Sequence, residues 1–324
     1  MSSRYQRHTH SIDGGIPMPK KTKSGFSATA ELTCLLRAKS YGEKKPHLKS
    51  DDYVAVILSQ TFHSLFSMMQ KTFLLGDDVL NLATPAGIYP YIVARTLYID
   101  AIFQKTAGRF SKIFILGAGY DSRAIRFYHA LQHSRIFEID HPAMQQHKIE
   151  KLSEVHISPP SNLTFLPIDF NQQNLADTLA NFPLQTGEKC LFLLEGLLMY
   201  LDPTQVKTLL SAISDYSSDG SQIIFDFVYE NLLVDDHGIT DNPPRNPEYG
   251  VKESIEGVRT IGEAWTFGIA AQGIDGFLQQ YGFTLLDRAD AHELEKRFFT
   301  DNQGKCLERI NTASCLIYAS REKS

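Results

Sequence analysis

A glycine turn between an apolar run and a helical pattern is the first feature of this sequence that could do chemistry. The apolar run at residues 112–116 is rich in β-branched and aromatic residues, and it ends in Gly117-Ala118-Gly119 before the helical pattern begins. A strand that turns into a helix in this way directs the first helical amides at a ligand. The glycines allow the backbone to bend and a bulky group to come close. Gly-x-Gly alone does not identify the ligand, so its meaning depends on the residues downstream.

Acidic residues follow the next three predicted strands. Asp140 lies about 20 residues after the glycine turn, where an acidic side chain can bind ribose hydroxyls. Asp169 stands beside Phe170, a pair suited to the exocyclic amine and the ring face of an adenine, and Glu195 follows the fourth strand. Any one of these acids could instead cap a helix or pair with a lysine. Four successive strand ends with such groups predict a nucleotide-type ligand.

The details of the glycine turn narrow the choice of nucleotide. A nicotinamide site usually has a third glycine in Gly-x-Gly-x-x-Gly, and Ser122 occupies that position here. A phosphate loop of the Gly-Lys-Ser/Thr type is absent from the sequence. A ligand with a ribose, an adenine and a small zwitterionic tail, but no phosphate, fits the acid-rich strand ends better. S-adenosylmethionine has this composition.

An arginine lies on the apolar face of the last helix before the glycine turn. Helical spacing places Arg95 on the same face as Ile88, Ile92, Ile99 and Ile102. An unpaired buried guanidinium is very costly, so this side chain needs a partner. It either lies at the edge of the apolar stripe, reaching water or a core carboxylate, or it reaches the anionic end of a ligand. The sequence leaves both interpretations open.

The elements that must position these residues are helices followed by alternating strands and helices. Helices are predicted at residues 27–41, at 51–75, and from Pro85 or Pro90 to about residue 106. This alternation is typical of an α/β, doubly wound, seven-stranded sheet with a helical N-terminal cap. We expect residues 1–25 to be a disordered tail, 26–108 the cap, and 109–324 the sheet domain, with a cap insertion near 231–275. The predicted strands are residues 113–116, 135–139, 163–168, 190–194, 222–227, 283–286 and 314–319.

Composition and charge exclude several classes of protein. With 43% hydrophobic and 21% charged residues and a net charge of −5, the 324-residue chain lacks the basic surface of a nucleic-acid-binding protein. The four cysteines show no metal-binding or disulfide spacing, and Cys190 and Cys315 are expected to be small core residues. No apolar signal sequence is present at the N-terminus, and polar residues interrupt the most apolar stretch, at 53–75. We therefore expect a cytoplasmic enzyme without a metal, a nucleic-acid partner or a membrane segment.

Three sequence blocks resemble the leucine carboxyl methyltransferase family. They are residues 116–123 (LGAGYDSR), 137–142 (FEIDHP) and 194–201 (LEGLLMYL), and they match best the bacterial branch of O-methyltransferases, some of them associated with polyketide biosynthesis. The segment around Arg95 and Asp100, and residues 27–30 with Arg37 downstream, are also similar to this family. The resemblance covers roughly residues 27–230.

The resemblance implies a class I methyltransferase with a Rossmann-like sheet and a role for each matching residue. Arg37 is the match to a basic N-terminal cofactor contact, although the eukaryotic protein-modifying members have Lys-Arg where this chain has Leu36-Arg37. The other implied cofactor contacts are Arg95 with the methionine carboxylate, Gly117 and Gly119 beneath the same moiety, Asp140 with the ribose, Asp169 and Phe170 with the adenine, and Glu195 with the amino group or the sulfonium side.

The resemblance also implies an in-line attack of an acceptor oxygen on the sulfonium methyl group. A carboxylate acceptor is already a nucleophile, whereas a hydroxyl acceptor calls for a general base such as histidine. His237 and His292 lie in the C-terminal third, but no motif marks either as a base, and the sequence identifies no catalytic residue. Aromatic residues that could line an acceptor pocket are Tyr200, Tyr229, Tyr249 and Trp265.

Several functions remain open at this point. The favoured one is S-adenosylmethionine-dependent O-methyl transfer to a carboxylate or hydroxyl of a small molecule. The first alternative is methylation of the C-terminal carboxylate of a protein. A second alternative is an S-adenosylmethionine-binding protein without transferase activity, and a more distant one is a nicotinamide-dependent oxidoreductase.

Overall fold

The sheet of this protein is mixed, with a parallel half followed by an antiparallel edge. A computed structural model describes residues 27–62, 84–170, 172–233 and 249–322. Within them, the strands run in the order β3-β2-β1-β4-β5-β8-β7, and β6 adds a short pairing to β5. The strands are β1 (Lys112–Leu116), β2 (Arg135–Asp140), β3 (Leu163–Pro167), β4 (Cys190–Leu194), β5 (Gln222–Tyr229), β6 (Gly268–Ile269), β7 (Phe283–Ala289) and β8 (Ser314–Arg321).

Helices cover both faces of this sheet. The first five strands pair in parallel, while β8 is antiparallel to both β5 and β7. None of the described helices is long and apolar enough to cross a lipid bilayer. The described helices are α1 (Ala28–Tyr41), α2 (Tyr53–Ser59), α3 (Ile88–Thr106), α4 (Arg123–Arg126), α5 (Tyr128–Leu131), α6 (Pro142–Glu154), α7 (Leu175–Leu179), α8 (Pro203–Tyr216), α9 (Val251–Thr260), α10 (Ile274–Gln280) and α11 (Ala291–Phe298).

The central strands are buried on both faces, as their continuous apolar sequences require. Every residue of β1 and β4 is buried, which is characteristic of parallel strands between two helical layers. Phe114 of β1 stacks on Phe137 of β2 and on Phe192 of β4, with both pairs of ring centroids 4.9 Å apart. Ile113 and Ile115 point to the opposite face and pack in the same apolar cluster as α3. Two cores, one on each side of the sheet, therefore fix the central strands.

The strand order places a switch point between β1 and β4. From β1 the chain first builds outward through β2 and β3, and it then returns to add β4 and β5 on the other side. In sheets of this kind, ligands bind beyond the carboxyl ends of the strands at the switch point. Gly117 follows β1 and Glu195 follows β4, so both lie at this position.

The predicted α/β sheet is confirmed, with two differences in detail. All seven predicted strands are present, and the additional two-residue β6 is too short to show a periodic pattern. The prediction of one continuous helix over residues 51–75 was wrong, because α2 ends at Ser59. The hydroxyls of Ser59 and Thr61 donate to the carbonyls of Val56 and Leu58, which competes with continuation of the helix.

Other predictions concern the core cysteines and segments that the structure covers only in part. Cys190 and Cys315 are buried in β4 and β8, as expected. The expected tail at 1–25, residues 63–75 of the predicted second helix, and residues 234–248 of the insertion lie outside the described residues. The division into a cap and a sheet domain stays a prediction.

The helix that carries Arg95 is anchored at its N-terminal end by distant parts of the chain. Asn311 donates its backbone amide to the Gly87 carbonyl and its side-chain amide to the Ala86 carbonyl, at 3.1 and 3.0 Å. Gly250 packs against the same point with a φ of +74°, and a Cβ atom added to it would lie 1.9 Å from the Ala86 oxygen. The start of α3 is therefore fixed by close backbone contacts that a side chain at residue 250 would prevent.

We expect Gly250→Ala to lower the free energy of unfolding by roughly 2–4 kcal/mol, because it combines a left-handed backbone with overpacking. Gly276→Ala is the matched control: Gly276 lies within α10, and nothing lies within 4 Å of an added Cβ. Alanine there should raise stability by up to about 1 kcal/mol. Urea unfolding followed by circular dichroism compares the two variants. Equal midpoints would show that residue 250 does not anchor α3.

Candidate functional site

The glycine turn after β1 has the geometry of a binding loop. Gly117 and Gly119 have φ angles of +63° and +46°, a region that side chains rarely adopt. A Cβ on Gly117 would lie 3.0 Å from the Leu197 side chain, and one on Gly119 would lie 3.5 Å from Cβ of Ala30 in α1. The turn therefore lies between the N-terminal helix and the segment that follows β4.

Asp140 is tied directly to the glycine turn. Its Oδ2 atom accepts the Gly119 amide and its Oδ1 atom accepts the His141 amide, both at 2.6 Å. Burial raises the pKa of Asp140 above its usual value, and the amide hydrogen bonds only partly offset this effect. Each carboxylate oxygen has a further lone pair, so the group can accept hydrogen bonds from ligand hydroxyls while it holds the turn.

Arg95 projects from α3 into a pair of carboxylates. Its Nε atom lies 2.8 Å from Oε1 of Glu195, and its Nη1 atom donates to Oδ2 of Asp226 at 2.8 Å. The guanidinium also lies 5.4 Å from the ring centroid of Tyr91. No acceptor for Nη2 is found among residues 27–62, 84–170, 172–233 and 249–322. The arginine thus pairs with core carboxylates, one of the two interpretations left open by the sequence, and one of its nitrogens stays available.

Glu195 is an ionised carboxylate held between two arginines. Its Oε2 atom accepts a hydrogen bond from Nη1 of Arg123 at 2.6 Å, while Oε1 faces Arg95. Burial alone would raise the pKa of Glu195, but Arg123 and Arg95 outweigh burial and lower the pKa to about 2. The group therefore carries its full negative charge at neutral pH.

These ion pairs belong to one continuous buried chain of charges. From Arg95 it passes through Glu195 to Arg123 and onward to α2 and α1, and Asp226 branches from Arg95. The members are four arginines (Arg37, Arg95, Arg123 and Arg126) and five carboxylates (Asp52, Asp100, Asp121, Glu195 and Asp226). Four positive and five negative charges give this buried chain of ion pairs a formal net charge of −1.

Arg37 links α1 to the glycine turn. Its Nη2 atom donates to the Tyr120 carbonyl at 2.8 Å, and its Nη1 atom lies 3.1 Å from Oδ2 of Asp52. Asp52 in turn caps α2 and accepts a hydrogen bond from the Ser122 hydroxyl at 2.8 Å. Arg37 therefore contacts the backbone of the turn from the side of α1.

Asp169 and Phe170 lie at the carboxyl end of β3, beside β2. The Oδ2 atom of Asp169 accepts a hydrogen bond from Gln172 and lies 3.9 Å from Nε2 of His141, the neighbour of Asp140. Phe170 lines a cavity of about 260 Å³ together with Leu201 and Gln205. The structure thus brings the Asp169–Phe170 pair to the same edge of the sheet as Asp140.

The N-terminus of α1 is fastened to the C-terminal half of the chain by Glu263. The carboxylate of Glu263 accepts the Ala28 amide at 3.1 Å and hydrogen bonds from the hydroxyls of Ser27 and Thr29. A negative charge at this end of a helix is also favoured by the helix dipole. Glu263 therefore closes one side of the site by holding α1 over the glycine turn.

Of the four aromatic residues expected at an acceptor pocket, Tyr200 and Trp265 lie together beside the site. Burial first, and then the charge of Glu263, raise the pKa of Tyr200 to about 12, against hydrogen bonds from Trp265 and Thr29 that lower it. The other residues named for the acceptor side lie elsewhere: Tyr229 contacts Arg288, Tyr249 stacks under Arg309, His292 is on α11, and His237 is outside the described residues.

Arg123 and Asp226 had no predicted role. Asp226 interrupts the apolar run of β5, and Arg123 closes the first of the three motif blocks. A charged residue inside a strand that reads as buried needs a partner, so Asp226 could have been singled out on that ground. Its partner could not have been named, because Arg95 is 131 positions away.

Comparison with known proteins identifies the family. The model of the leucine carboxyl methyltransferase family matches residues 30–214, more than half of the chain. The chain belongs to the leucine carboxyl methyltransferase family. YktD of Bacillus subtilis strain 168, named for S-adenosylmethionine-dependent methyl transfer, is 24% identical over 228 residues, covering 70% of this chain and 72% of YktD. A similarly named relative from Mycobacterium tuberculosis strain CDC 1551 is 25% identical over 269 residues, covering 80% of this chain and 84% of the relative.

A solved methyltransferase structure from Thermobifida fusca shares the fold. It is 13% identical to this chain and superposes with a TM-score of 0.55. The match covers 95% of this chain and 97% of the solved structure's chain. The predicted family and the class I methyltransferase fold are confirmed. The family and the named relatives show that this chain is a methyltransferase with S-adenosylmethionine as its cofactor.

The charge on Glu195 predicts a loss of stability in acid. Its pKa falls from 4.5 to about 2 on folding, so its stabilising contribution is complete above about pH 5 and is lost as the pH falls toward 2. The full pKa difference corresponds to about 3 kcal/mol. Urea unfolding at pH 7 and pH 3 should show a smaller acid-induced loss in Glu195→Gln than in the wild type. The exposed Glu256→Gln should retain the wild-type loss, and an identical loss in all three proteins would contradict the low pKa.

Proposed function

We propose that this methyltransferase transfers the methyl group of S-adenosylmethionine to a carboxylate or hydroxyl oxygen of a small molecule in the cytoplasm. The observation that carries the proposal is the position of Arg95, between Glu195 and the backbone of Gly196 at the switch point of the sheet. The oxygen acceptor is supported by the family, whose name refers to a carboxyl group.

The residues around the switch point fit the methionine part of the cofactor. The available Nη2 atom of Arg95 would donate to its carboxylate, and the ionised Glu195 would attract its ammonium group. Gly117 and Gly119 would allow that part to approach the backbone. Arg37 would contribute by holding the turn through the Tyr120 carbonyl.

The nucleoside part fits the next two strand ends. Asp140 would accept hydrogen bonds from the ribose hydroxyls while it keeps the Gly119 amide. Asp169 and Phe170 would flank the adenine, with Phe170 offering a ring face beside an existing cavity. This assignment uses all eight residues implied by the family resemblance.

The net charge of the buried chain of ion pairs also suits S-adenosylmethionine. S-adenosylmethionine carries a sulfonium, an ammonium and a carboxylate, which together give one net positive charge. The chain of four arginines and five carboxylates carries one net negative charge. Bringing the two together would neutralise a charge that is otherwise costly to bury.

When bound, S-adenosylmethionine supplies an electrophilic methyl group. The protein residues would then mainly align the acceptor with that group and exclude water. A carboxylate acceptor needs no general base. With its pKa near 12, Tyr200 is protonated at neutral pH, so it would donate a hydrogen bond to an acceptor oxygen instead of removing a proton.

Binding of the demethylated product, S-adenosylhomocysteine, tests the cofactor site. Asp140→Ala should weaken this binding by roughly 1–3 kcal/mol, because a buried charged hydrogen bond is lost. Asp215→Ala, on the exposed face of α8, should bind as the wild type does. Isothermal titration calorimetry measures all three proteins, with NAD as a ligand that should give no heat. Unchanged affinity in Asp140→Ala would show that the ribose lies elsewhere.

Transfer of a labelled methyl group identifies the acceptor class. Incubation with labelled S-adenosylmethionine and a cell extract should place the label in the small-molecule fraction. Mild base would release it as methanol from an ester and leave it in place in an ether, which separates carboxylate from hydroxyl acceptors. Label in the protein fraction would favour the alternative of a protein C-terminal carboxylate. No transfer despite tight cofactor binding would favour a non-catalytic binding protein.

A further inference from the structure

Asp226 on β5 is a buried carboxylate that joins two other elements of the site. Its side chain is 0% exposed. Its Oδ1 atom accepts the Gly196 amide at 2.6 Å, and its Oδ2 atom accepts the Tyr91 hydroxyl at 2.9 Å and Nη1 of Arg95 at 2.8 Å. One carboxylate thus links α3, β5 and the turn after β4.

The three donors explain how this charge is tolerated in the core. Burying an ionised carboxylate costs several kcal/mol unless charge and hydrogen bonds compensate it. Arg95 supplies the opposite charge, and the Gly196 amide and Tyr91 hydroxyl occupy further lone pairs. Two of these three donors belong to Arg95 and to the turn beside Glu195, which are parts of the proposed cofactor site. The carboxylate of Asp226 therefore lies where it can hold Arg95 and the Gly196 amide in place.

The contacts of Asp226 leave the arginine one orientation. Arg95 forms an ion pair with Glu195 on its Nε side, donates a hydrogen bond from Nη1 to Asp226, and lies over the Tyr91 ring. A free arginine side chain has considerable rotamer entropy, and these contacts remove most of it before any ligand arrives. Without Asp226, the guanidinium could turn and pair through two nitrogens with Glu195 alone. Nη2 would then no longer be available.

We propose that Asp226, supported by Tyr91, is a positioning residue that directs Nη2 of Arg95 to the carboxylate of the methionine part of the cofactor. This inference rests on the proposed role of Arg95. Because Asp226 is fully buried, it acts through Arg95 and the Gly196 amide and does not touch the cofactor itself.

Two nucleosides separate this role from a general contribution to folding. S-adenosylhomocysteine contains the amino-acid tail, whereas 5′-methylthioadenosine has the same adenine and ribose without that tail. Calorimetry on Asp226→Asn should show at least a tenfold loss of affinity for S-adenosylhomocysteine and less than a twofold change for 5′-methylthioadenosine. Tyr91→Phe, which removes one hydrogen bond, should show a three- to fivefold loss for S-adenosylhomocysteine alone.

Thr96→Val is the matched control. Thr96 is buried on α3 next to Arg95, and its hydroxyl donates only to the Ile92 carbonyl. This variant perturbs the same helix without touching Asp226, so it should bind both nucleosides as the wild type does.

Equal losses for both nucleosides in Asp226→Asn, or an unchanged affinity for S-adenosylhomocysteine, would overturn the positioning role. If Asp226→Asn does not fold, either of these two outcomes in Tyr91→Phe would overturn the positioning role. A wild type that binds S-adenosylhomocysteine no more tightly than 5′-methylthioadenosine would instead overturn the proposed role of Arg95, and the inference with it.

Discussion

The rest of the structure depends on the need to neutralise charges inside the protein. Glu195 lies between Arg95 and Arg123, and the ion pairs that start there reach α1, α2, α3, the glycine turn and β5. Removing one partner from such a chain leaves an uncompensated buried charge, which typically costs about 3–5 kcal/mol. The N-terminal helices and the sheet are therefore held together by charge as well as by apolar packing. In the proposed cofactor site, the same groups would also face the zwitterionic methionine part of S-adenosylmethionine.

The proposed cofactor site uses main-chain atoms at one place and charged side chains at another. At the glycine turn the protein presents main-chain atoms at Gly117 and Gly119, whose positive φ angles disfavour side chains. At the ends of β2 and β4 it presents Asp140 and Glu195, carboxylates already held by amides or arginines. A rigid set of charges needs little reorganisation when a ligand binds or reacts. The buried Asp226 adds to this rigidity, because it accepts a hydrogen bond from Arg95.

How much could be predicted from the sequence depended on the range of the interactions. Local patterns predicted the strands, the glycine turn and the acids at the strand ends, since each depends on neighbours within a few residues. The pairing of Arg95 with Asp226 depends on the order in which distant strands assemble, which no local pattern contains. The early end of α2 depends on the hydroxyl groups of Ser59 and Thr61, which donate hydrogen bonds to carbonyls of the same helix. A helix prediction based on the spacing of apolar residues does not take these hydrogen bonds into account. The acceptor side has no fixed spacing, so Tyr200 and Trp265 could be named only as members of a larger set.

The contact between Glu263 and the start of α1 has a consequence for biosynthesis. Residues 27–29 leave the ribosome long before residue 263 does, and Asn311, which anchors the start of α3, follows later still. During translation the first helix therefore lacks the carboxylate that holds its N-terminus, and the helix of Arg95 lacks its anchor. The candidate site of the nascent chain can close only after residue 311 has left the ribosome. A truncated product would thus retain the glycine turn without a finished pocket.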